Sequence, residues 1–261
     1  MNPNIAIAIL LITFVLLIMI KCPITFSMII STAFTMLYIQ VPVMTLVQQM
    51  SKQLNSFSLL AIPFFILMGE IMAAGGISSR LLAFANVCVG QITGGLAHVN
   101  VLASMLFGGI SGSAIADVSS LGALEIPMME EAGYEKDFSI AVTVASSCQG
   151  LIIPPSHNMV LYSMVAGGVS VGSLFCAGYI PGIMLGVFIM GMCYIISKKK
   201  HYPKGKKLPF KEALRVTKDT FFAMLAMVII IGGVSAGFFT ATESAAVACI
   251  YCLFVGFFIY R

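Results

Sequence analysis

The chain has 261 residues, of which 59% are hydrophobic and only 9% are charged. Because soluble domains usually contain about 25% charged residues, this composition excludes an ordinary soluble protein and predicts a polytopic membrane protein. Nine of the 14 Lys and Arg residues lie within residues 198–218, between apolar runs. We therefore interpret the net charge of +4 as a signal of membrane topology and not of nucleic-acid binding.

Residues 1–56 predict two membrane spans and a polar segment. The apolar runs at 4–20 and 24–40 each approach the roughly 20 residues that a helix needs to cross a bilayer. Lys21 places the end of the first span on the cytoplasmic side by the positive-inside rule. Residues 41–56 are too polar to cross, so we expect an outer loop or a helix that lies in the membrane interface.

A third span is predicted at residues 57–74. It contains Glu70, and because an ionisable group is costly inside a bilayer, this side chain should face protein or water. Of these alternatives we favour a structural pair with a neighbouring helix. Arg80 marks the inner side again, and the weaker apolar run at 78–94 is interpreted as a helix that lies along the inner face.

Residues 96–132 contain the first interruption of the apolar sequence. A glycine-rich stretch at 108–112 breaks the run, and each limb is too short to cross the bilayer comfortably. We therefore predict a re-entrant helical hairpin with its tip at residues 111–113. The sequence then enters an acidic segment, which we expect to form a charged patch where the hairpin ends. That patch contains Glu125, Glu130, Glu131, Glu135, Lys136 and Asp137.

The second interruption lies in a predicted span at residues 138–168. Gly150 and the Pro154-Pro155 pair must break this helix, because proline removes a backbone donor and clashes with the preceding turn. A Gly-Gly pair then ends the helix on the outer side. In a bilayer, broken backbone is tolerated only where it is buried in protein or lines a polar cavity.

The rest of the chain predicts three further crossings. Residues 171–197 cross inward and lead to the basic loop, which is cytoplasmic by the positive-inside rule. A short interfacial helix at 209–219 is followed by an outward span at 220–238. Residues 239–260 cross inward again and stop at Arg261.

The start of the last helix carries capping residues. Thr240 or Thr242 is expected to cap this helix, with Glu243 near its positively polarised N-terminus. The small residues at 244–248 predict close contact with a neighbouring helix.

The two interruptions define one candidate site. A broken helix exposes carbonyl groups at the end of one half and N–H groups at the start of the next. Carbonyl and Ser hydroxyl oxygens suit an alkali cation, whereas the N-terminus of a half-helix suits an anion. Discontinuous helices are the best sequence indicator of the site of a secondary transporter. Asp117 either adds negative charge to this site or caps the second limb of the hairpin, and the two roles stay equally open.

Short motifs along the chain resemble those of the large membrane subunit of tripartite ATP-independent periplasmic (TRAP) transporters. The likeness covers essentially the whole chain in order. It rests on Pro63-Phe64, Gly69, Gly94-Gly95-Leu96, Ser111-Gly112-Ser113, Gly133-Tyr134, Ile153-Pro154-Pro155-Ser156, Ser173-Leu174-Phe175 and Gly178-Tyr179-Ile180-Pro181-Gly182.

The resemblance implies a sodium-driven transporter with an elevator-type fold, in which this chain forms the first of two inverted repeats. The implied substrate is a small organic acid, such as a dicarboxylate, a sialic acid or a sugar acid. The implied location is the bacterial inner membrane, as a multi-pass protein in the lipid bilayer. The implied partners are a small TRAP membrane subunit and a periplasmic substrate-binding protein, with no nucleic acid.

By the same resemblance, one sodium site lies between the hairpin tip and the broken helix. Its ligands, mostly backbone carbonyl groups, would be Gly108, Ser111, Gly150, Ile153 and Pro155. Substrate binding or bracing of the hairpin is expected from Ser113, Asp117, Ser156 and Asn158. His157 is expected to be a hydrogen-bonded structural residue.

The resemblance also divides the chain into parts with different roles. Residues 57–197 would be the moving transport unit, flanked by scaffold helices and the outer loop at 1–56. Residues 198–219 would form the basic loop and interfacial helix, and 220–261 would begin the second scaffold half. The family's large subunit has two hairpins and two broken helices, whereas this chain shows one of each. We therefore expect either a truncated product or fragment, or a chain whose remainder is supplied by another polypeptide. A second sodium site and much of the substrate site would be missing from it.

Two other function classes are weighed against the transporter. Gly109-Ile110-Ser111-Gly112 matches the G-x-S-G of rhomboid-type intramembrane serine proteases, with His157 or His98 as the base. A non-transporting membrane scaffold, in which the glycines only permit tight packing, is the other alternative.

Overall fold

The computed structural model describes residues 2–167, 169–205 and 209–260. Within these ranges the regular structure is helical, apart from one isolated bridge between Thr93 and Lys204. The predicted all-α class is therefore confirmed. By length and composition, three described helical segments can cross a membrane, namely Phe57–Ala74, Val171–Lys200 and Ala241–Tyr260.

Contacts divide the chain into two compact units, Met1–Ser56 and Phe57–Arg261. In the first unit, α1 (Pro3–Met19) and α2 (Ile24–Tyr38) pack against each other, and α3 (Met44–Leu54) follows. The two apolar runs of the sequence thus form the two expected helices. The polar segment after them is helical, which fits one of the two expected alternatives.

The second unit begins with a 3-10 turn, Phe57–Leu60, that leads into α4 (Ala61–Ala74). The next helix, α5 (Ile77–Val89), starts after Gly76, whose φ of 67° is accessible to glycine at little cost. One face of α5 is buried against other helices of the unit, because Leu81 and Ala85 are fully buried there.

The residues of the predicted hairpin form two limbs built from three helices, and the re-entrant placement of this hairpin in the membrane stays a prediction. The first limb is α6 (Gly95–Ser111), and the return limb consists of α7 (Ala114–Ser120) and α8 (Gly122–Glu131). Both return helices contact α6. Glu125 lies in α8 and is 3% exposed. Its predicted place in an exposed charged patch is therefore wrong, since this side chain packs inward whereas Glu130 and Glu131 are exposed.

The predicted broken helix is also present. It consists of α9 (Lys136–Ser147), a 3-10 turn at Cys148–Leu151 and α10 (His157–Ala166). Between the halves, residues 152–156 are not helical, and the Pro154–Pro155 peptide bond is cis. A single uninterrupted helix follows as α11 (Val171–Lys200).

The last two helices differ in part from the expectation. Residues 209–219 and 220–238 were expected as two elements, but α12 (Phe210–Ser235) is one continuous helix. The reason is that no Gly or Pro occurs between Phe210 and Ile231, so nothing in that sequence ends the helix. The final helix, α13 (Ala241–Phe254), continues into a π-helical turn at Val255–Tyr260.

The start of α13 confirms one of two capping alternatives. Thr240 forms a capping box with Glu243, whereas the Thr242 hydroxyl donates instead to the carbonyl oxygen of Phe57 at 3.1 Å. The buried small residues Ala245 and Ala248 lie on α13, which packs closely against α4. Four positions used in the sequence interpretation lie outside the described residues: Gly168, Lys206, Lys207 and Arg261.

Two apolar clusters hold the second unit together. The larger is formed mainly by side chains of α4, α5, α6, α12 and α13. The smaller surrounds Tyr134 and Tyr202, whose ring centroids are 4.4 Å apart, and it joins the end of α8 to the segment after α11. The Tyr202 hydroxyl accepts a hydrogen bond from the Glu135 N–H at 3.3 Å, and Lys200 forms an ion pair with the Glu135 side chain. The first residues of the broken helix are thereby fixed to the far end of α11.

Candidate functional site

The hairpin tip lies at Ser111-Gly112-Ser113, as predicted. Gly112 ends α6 with a φ of 61°, which is the left-handed conformation that favours glycine. Ser113 is extended and caps α7, since its hydroxyl accepts a hydrogen bond from the Ala116 N–H at 3.3 Å. Ser111 Oγ bonds only weakly within the tip, to Ser113 at 3.3 and 3.4 Å.

The tip packs against the broken helix through backbone atoms. A Cβ built on Gly108 would lie 2.4 Å from the Cα of Gly150, and one built on Gly150 would lie 2.8 Å from the Cα of Gly108. A Cβ on Gly112 would lie 3.0 Å from the carbonyl oxygen of Pro155. Glycine is therefore required here by close approach of two backbones. This places the expected sodium ligands Gly108 and Gly150 in direct contact.

The break exposes several carbonyl groups in the interior. Ile153, Pro154 and Pro155 are buried and lie outside any helix. No described residue donates a hydrogen bond to their carbonyl oxygens. Buried carbonyl groups usually have a partner, so three adjacent free ones beside the hairpin tip are unusual.

The Ser156 hydroxyl has a structural role at this break. It is fully buried and donates to the carbonyl oxygen of Leu151 at 2.9 Å, which closes the loop between the two half-helices. Because this bond lies within the broken helix, substrate binding and bracing of the hairpin both stay predictions for Ser156. Asn158, in contrast, is exposed on the first turn of α10.

A cavity of about 430 Å³ opens beside the tip. It is lined by residues of α4, the hairpin tip, α7 and the start of α10, including Glu70, Ser111, Ser113, Ser119 and His157. Glu70 is exposed and forms no ion pair with any described residue. The favoured structural pair is therefore wrong, because no basic side chain of the described residues approaches this carboxylate.

Asp117 lies on α7 and is 1% exposed. It does not cap the second limb, because Ser113 performs that role. Neither carboxylate oxygen of Asp117 has a hydrogen-bond partner among the described residues. The structure therefore excludes a capping role for Asp117. Its carboxyl group is buried and is either ionised or protonated.

His157 and Ser111 lie near each other but do not form a catalytic pair. No hydrogen bond joins the Ser111 hydroxyl to the His157 ring in the part of the chain that is described, and the Nδ1 atom of His157 has no partner there. A Ser–His nucleophile needs such a bond, so the geometry does not favour the protease alternative. The expected role of His157 as a hydrogen-bonded structural residue stays a prediction.

Sequence reasoning missed a buried polar chain between α6 and α9. Asn100 Nδ2 donates to Thr143 Oγ1 at 2.7 Å, Ser146 Oγ donates to Asn100 Oδ1 at 2.8 Å, and Ser104 Oγ lies 3.1 Å from Ser146 Oγ. The signal was available in the spacing, because polar residues four apart share one face of a helix. It was overlooked because these residues lie outside the Gly and Pro interruptions.

The site therefore combines a backbone cleft and a cavity lined by hydroxyl groups. Free carbonyl oxygens of the break and the weakly bonded Ser111 hydroxyl can together offer hard oxygen ligands to a cation. The helices α7 and α10 begin beside the hairpin tip and the break, and their N-termini carry partial positive charge. Such an arrangement can bind a cation and an anionic group side by side.

Comparisons with known proteins find similar sequences. A family model described as "Tripartite ATP-independent periplasmic transporter, DctM component" matches residues 11–261. The sialic acid TRAP transporter large permease protein SiaM of Vibrio cholerae is 44% identical over 240 residues, which are 92% of this chain and 56% of that protein. The C4-dicarboxylate TRAP transporter large permease protein DctM of Pseudomonas aeruginosa is 44% identical over 205 residues, 78% of this chain and 48% of that protein.

A third relative carries a different substrate in its name. The 2,3-diketo-L-gulonate TRAP transporter large permease protein YiaN of Escherichia coli is 38% identical over 240 residues, which are 92% of this chain and 56% of that protein. The chain thus spans about half the length of the curated relatives it matches. Family match, identity and the two interrupted helices all lead to one conclusion: this chain belongs to the DctM family, the large permease component of TRAP transporters.

Proposed function

We propose that this chain contributes one hairpin-and-broken-helix unit to a sodium-coupled TRAP permease that imports a small organic acid. The observation that carries the proposal is the set of carbonyl groups at the buried residues 153–155, beside the tip of the hairpin, which accept no hydrogen bond from any described residue. Unwound backbone carbonyls of this kind coordinate sodium in secondary transporters. Gly108, Ser111, Gly150, Ile153 and Pro155 would supply the ligands.

In this proposal sodium and substrate bind cooperatively. Sodium at the break would hold the hairpin tip against the broken helix and so favour substrate binding in the adjacent cavity. Ser113, Asp117, Ser156 and Asn158 are the candidates for binding the substrate or for bracing the hairpin. Because coupling between two bound ligands is reciprocal, substrate should tighten sodium by the same factor.

The names of the relatives support the proposed substrate class. Those named above transport sialic acid, C4-dicarboxylate or 2,3-diketo-L-gulonate by their names, and all of these are organic acids. Arg80 is not available as a carboxylate clamp, since its guanidinium stacks 3.8 Å above the Tyr260 ring and donates to the Gly76 carbonyl. We infer that the substrate carboxylate is bound mainly by other parts of the assembled permease.

Membership of the family supports the proposed assembly. The permease would lie in the bacterial inner membrane as a multi-pass protein, with a small membrane subunit beside it and a periplasmic binding protein delivering substrate. Residues 57–197 would move as an elevator against the scaffold formed by 1–56 and 198–261. A second, inverted repeat would complete the site. Because the family is a family of transporters, neither the protease nor the pure scaffold is favoured.

The test is the thermal stability of the detergent-purified protein in NaCl and in KCl at equal ionic strength. Sodium should raise the melting temperature, and a ligand at ten times its Kd stabilises by about 1.4 kcal/mol. Pro155→Ala should reduce the sodium effect because it alters the carbonyl cluster. Pro127→Ala, at an exposed proline of α8, is the control and should retain it. Equal melting temperatures of the unmodified chain in both salts would rule out the sodium site.

A further inference from the structure

The break between α9 and α10 also packs against α11, through a row of glycines on that helix. Gly178, Gly182 and Gly186 are buried and lie four residues apart, so they share one face of α11. A Cβ built on Gly178 would lie 2.5 Å from the carbonyl oxygen of Ile152. A Cβ built on Gly182 would lie 2.4 Å from Ile153 Cγ1. Contacts this short leave no room for a side chain on this face of α11.

The Ile153 side chain is held between α11 and the first limb of the hairpin. Its Cγ1 atom is the atom that faces Gly182, as described above. Its Cγ2 atom lies 3.1 Å from the place that a Cβ on Gly109 of α6 would take. Ile153 is 5% exposed. The side chain therefore fills a slot with a glycine on each side, and a methyl group added on the α11 side has to displace it.

The third glycine of the row faces the 3-10 turn that precedes the break. A Cβ on Gly186 would lie 2.6 Å from Gln149 Oε1 and 2.6 Å from Met105 Sδ. Gln149 is fully buried, and neither polar atom of its amide has a hydrogen-bond partner among the described residues. Packing against α11 and α6, and not hydrogen bonding, therefore holds this side chain in place.

The carbonyl groups of the break depend on such packing for their position. Residues 153–155 lie outside any helix, and their carbonyl oxygens accept no hydrogen bond from any described residue. Pro154 and Pro155 have no N–H that could fix them from the other side. Ligand groups must be held within about 0.5 Å of the productive geometry by the residues packed around them. Replacing a residue that orients a metal ligand typically costs about 10–100-fold in metal affinity.

We propose that Gly182 is a positioning residue of the sodium site. It supplies no ligand itself. By leaving room for the Ile153 side chain, it sets the position of the Ile153 carbonyl group and so the affinity of the break for sodium. This inference rests on the proposed function, because it assumes that sodium binds at the break. If the glycines of α11 served packing alone, added bulk would lower stability and leave the sodium affinity unchanged.

The experiment is a sodium titration of the melting temperature of the detergent-purified protein, with choline chloride keeping the ionic strength constant. Gly182→Ala should raise the sodium concentration that gives half of the maximal stabilisation by about tenfold or more. Gly233→Ala is the matched control, because its Cβ would lie 2.6 Å from Phe239 Cδ2, outside the broken helix. It should lower the melting temperature and leave the half-saturating sodium concentration unchanged.

A compensating substitution tests the contact itself. Ile153→Ala removes the atoms that the new Cβ would meet and keeps the backbone carbonyl group. The double variant Gly182→Ala/Ile153→Ala should therefore bind sodium more tightly than Gly182→Ala alone, as expected for two residues in direct contact. Should Gly182→Ala not fold, Ile153→Ala alone is compared with Ile230→Ala, at a fully buried isoleucine of α12. Ile153→Ala should weaken sodium binding, whereas Ile230→Ala should only lower the melting temperature.

The outcomes separate this inference from the sodium site on which it rests. A sodium effect with the same half-saturating concentration in the unmodified chain and in Gly182→Ala would overturn the inference and leave the sodium site standing. A similar rise in Gly233→Ala, or in Ile230→Ala where that comparison is used, would reject it too, since general destabilisation would then be the cause. If sodium did not stabilise the unmodified chain, the proposed function and this inference would both be rejected.

Discussion

Among single residues, Gly108 and Gly150 decide the contact between the hairpin and the broken helix, because each has a hydrogen atom where other residues have a Cβ. Gly108 and Gly150 face each other so closely that a methyl group on either one would overlap the backbone of the other. Backbone cannot move aside as the end of a flexible side chain can. The pair therefore sets how near the tip comes to the carbonyl groups of the break.

Gly108→Ala should destabilise the protein. The added Cβ would lie 2.4 Å from the Cα of Gly150, so one backbone has to shift. Overpacking of this kind costs about 1–3 kcal/mol. The melting temperature of the purified protein should fall, and any stabilisation by sodium should fall with it.

The matched control is Gly191→Ala on α11. A Cβ at this helical position meets no atom within 4 Å. Replacing a glycine inside a helix by alanine normally stabilises by about 0.5–1 kcal/mol. If Gly108→Ala melted at the same temperature as Gly191→Ala, the close approach of the two backbones would be refuted.

Single residues show where the sequence is informative and where it is not. The glycines and prolines of the interruptions were predictable, because their effect on the backbone is local. The burial of Glu125 and the exposure of Glu70 were not, because both depend on which helix packs over which face. The role of Asp117 stayed open for the same reason, until the geometry assigned the cap to Ser113.

At the element scale, α6 and α9 are joined by polar contacts inside an apolar protein. Asn100, Ser104 and Ser146 are nearly or fully buried and bond to one another across the interface. Buried polar groups that satisfy one another specify a unique packing, and each is costly to leave unpaired. This chain of hydrogen bonds holds the first limb of the hairpin to the first half of the broken helix.

Asn100→Ala should weaken that junction. It removes a donor to Thr143 and an acceptor for Ser146, and it leaves a small cavity. We expect a loss of about 1–3 kcal/mol, visible as a lower melting temperature in detergent.

Asn158→Ala provides the comparison for this substitution. This asparagine is exposed and makes no side-chain hydrogen bond to any described residue, so its effect should stay within about 0.5 kcal/mol. Similar melting temperatures for the two variants would mean that the polar chain contributes nothing to the junction.

The elements themselves were predictable to different degrees. Apolar runs and helix breakers predicted the hairpin and both halves of the broken helix, because each depends on local sequence. The predicted division into two elements at residue 219 was wrong. A change from charged to apolar residues changes the environment that suits a helix, but it does not interrupt the helical backbone. α12 therefore continues from its polar start into its apolar part without a break.

For the molecule as a whole, charge and helix length together predict how α11 is oriented in the membrane. α11 has 30 residues, so it is roughly 45 Å long at 1.5 Å per residue. This exceeds the bilayer core of about 30 Å, and its last turn carries Lys198, Lys199 and Lys200. The two ends of α11 should therefore lie on opposite sides of the membrane, with the basic end in the cytoplasm.

Single cysteines introduced on either side of α11 test this orientation. The parent chain has its exposed native cysteines, Cys88, Cys148 and Cys176, replaced by serine so that background labelling is low. Val169→Cys and Lys211→Cys then each place a thiol at an exposed position.

A membrane-impermeant maleimide should label Val169→Cys only in right-side-out vesicles and Lys211→Cys only in inverted vesicles. Labelling of both positions from the same side would contradict the membrane crossing of α11, and the reverse pattern would show that the basic loop lies outside. The pattern we expect would place the start of α11, which follows the broken helix, on the periplasmic side, where the proposed binding protein delivers its substrate.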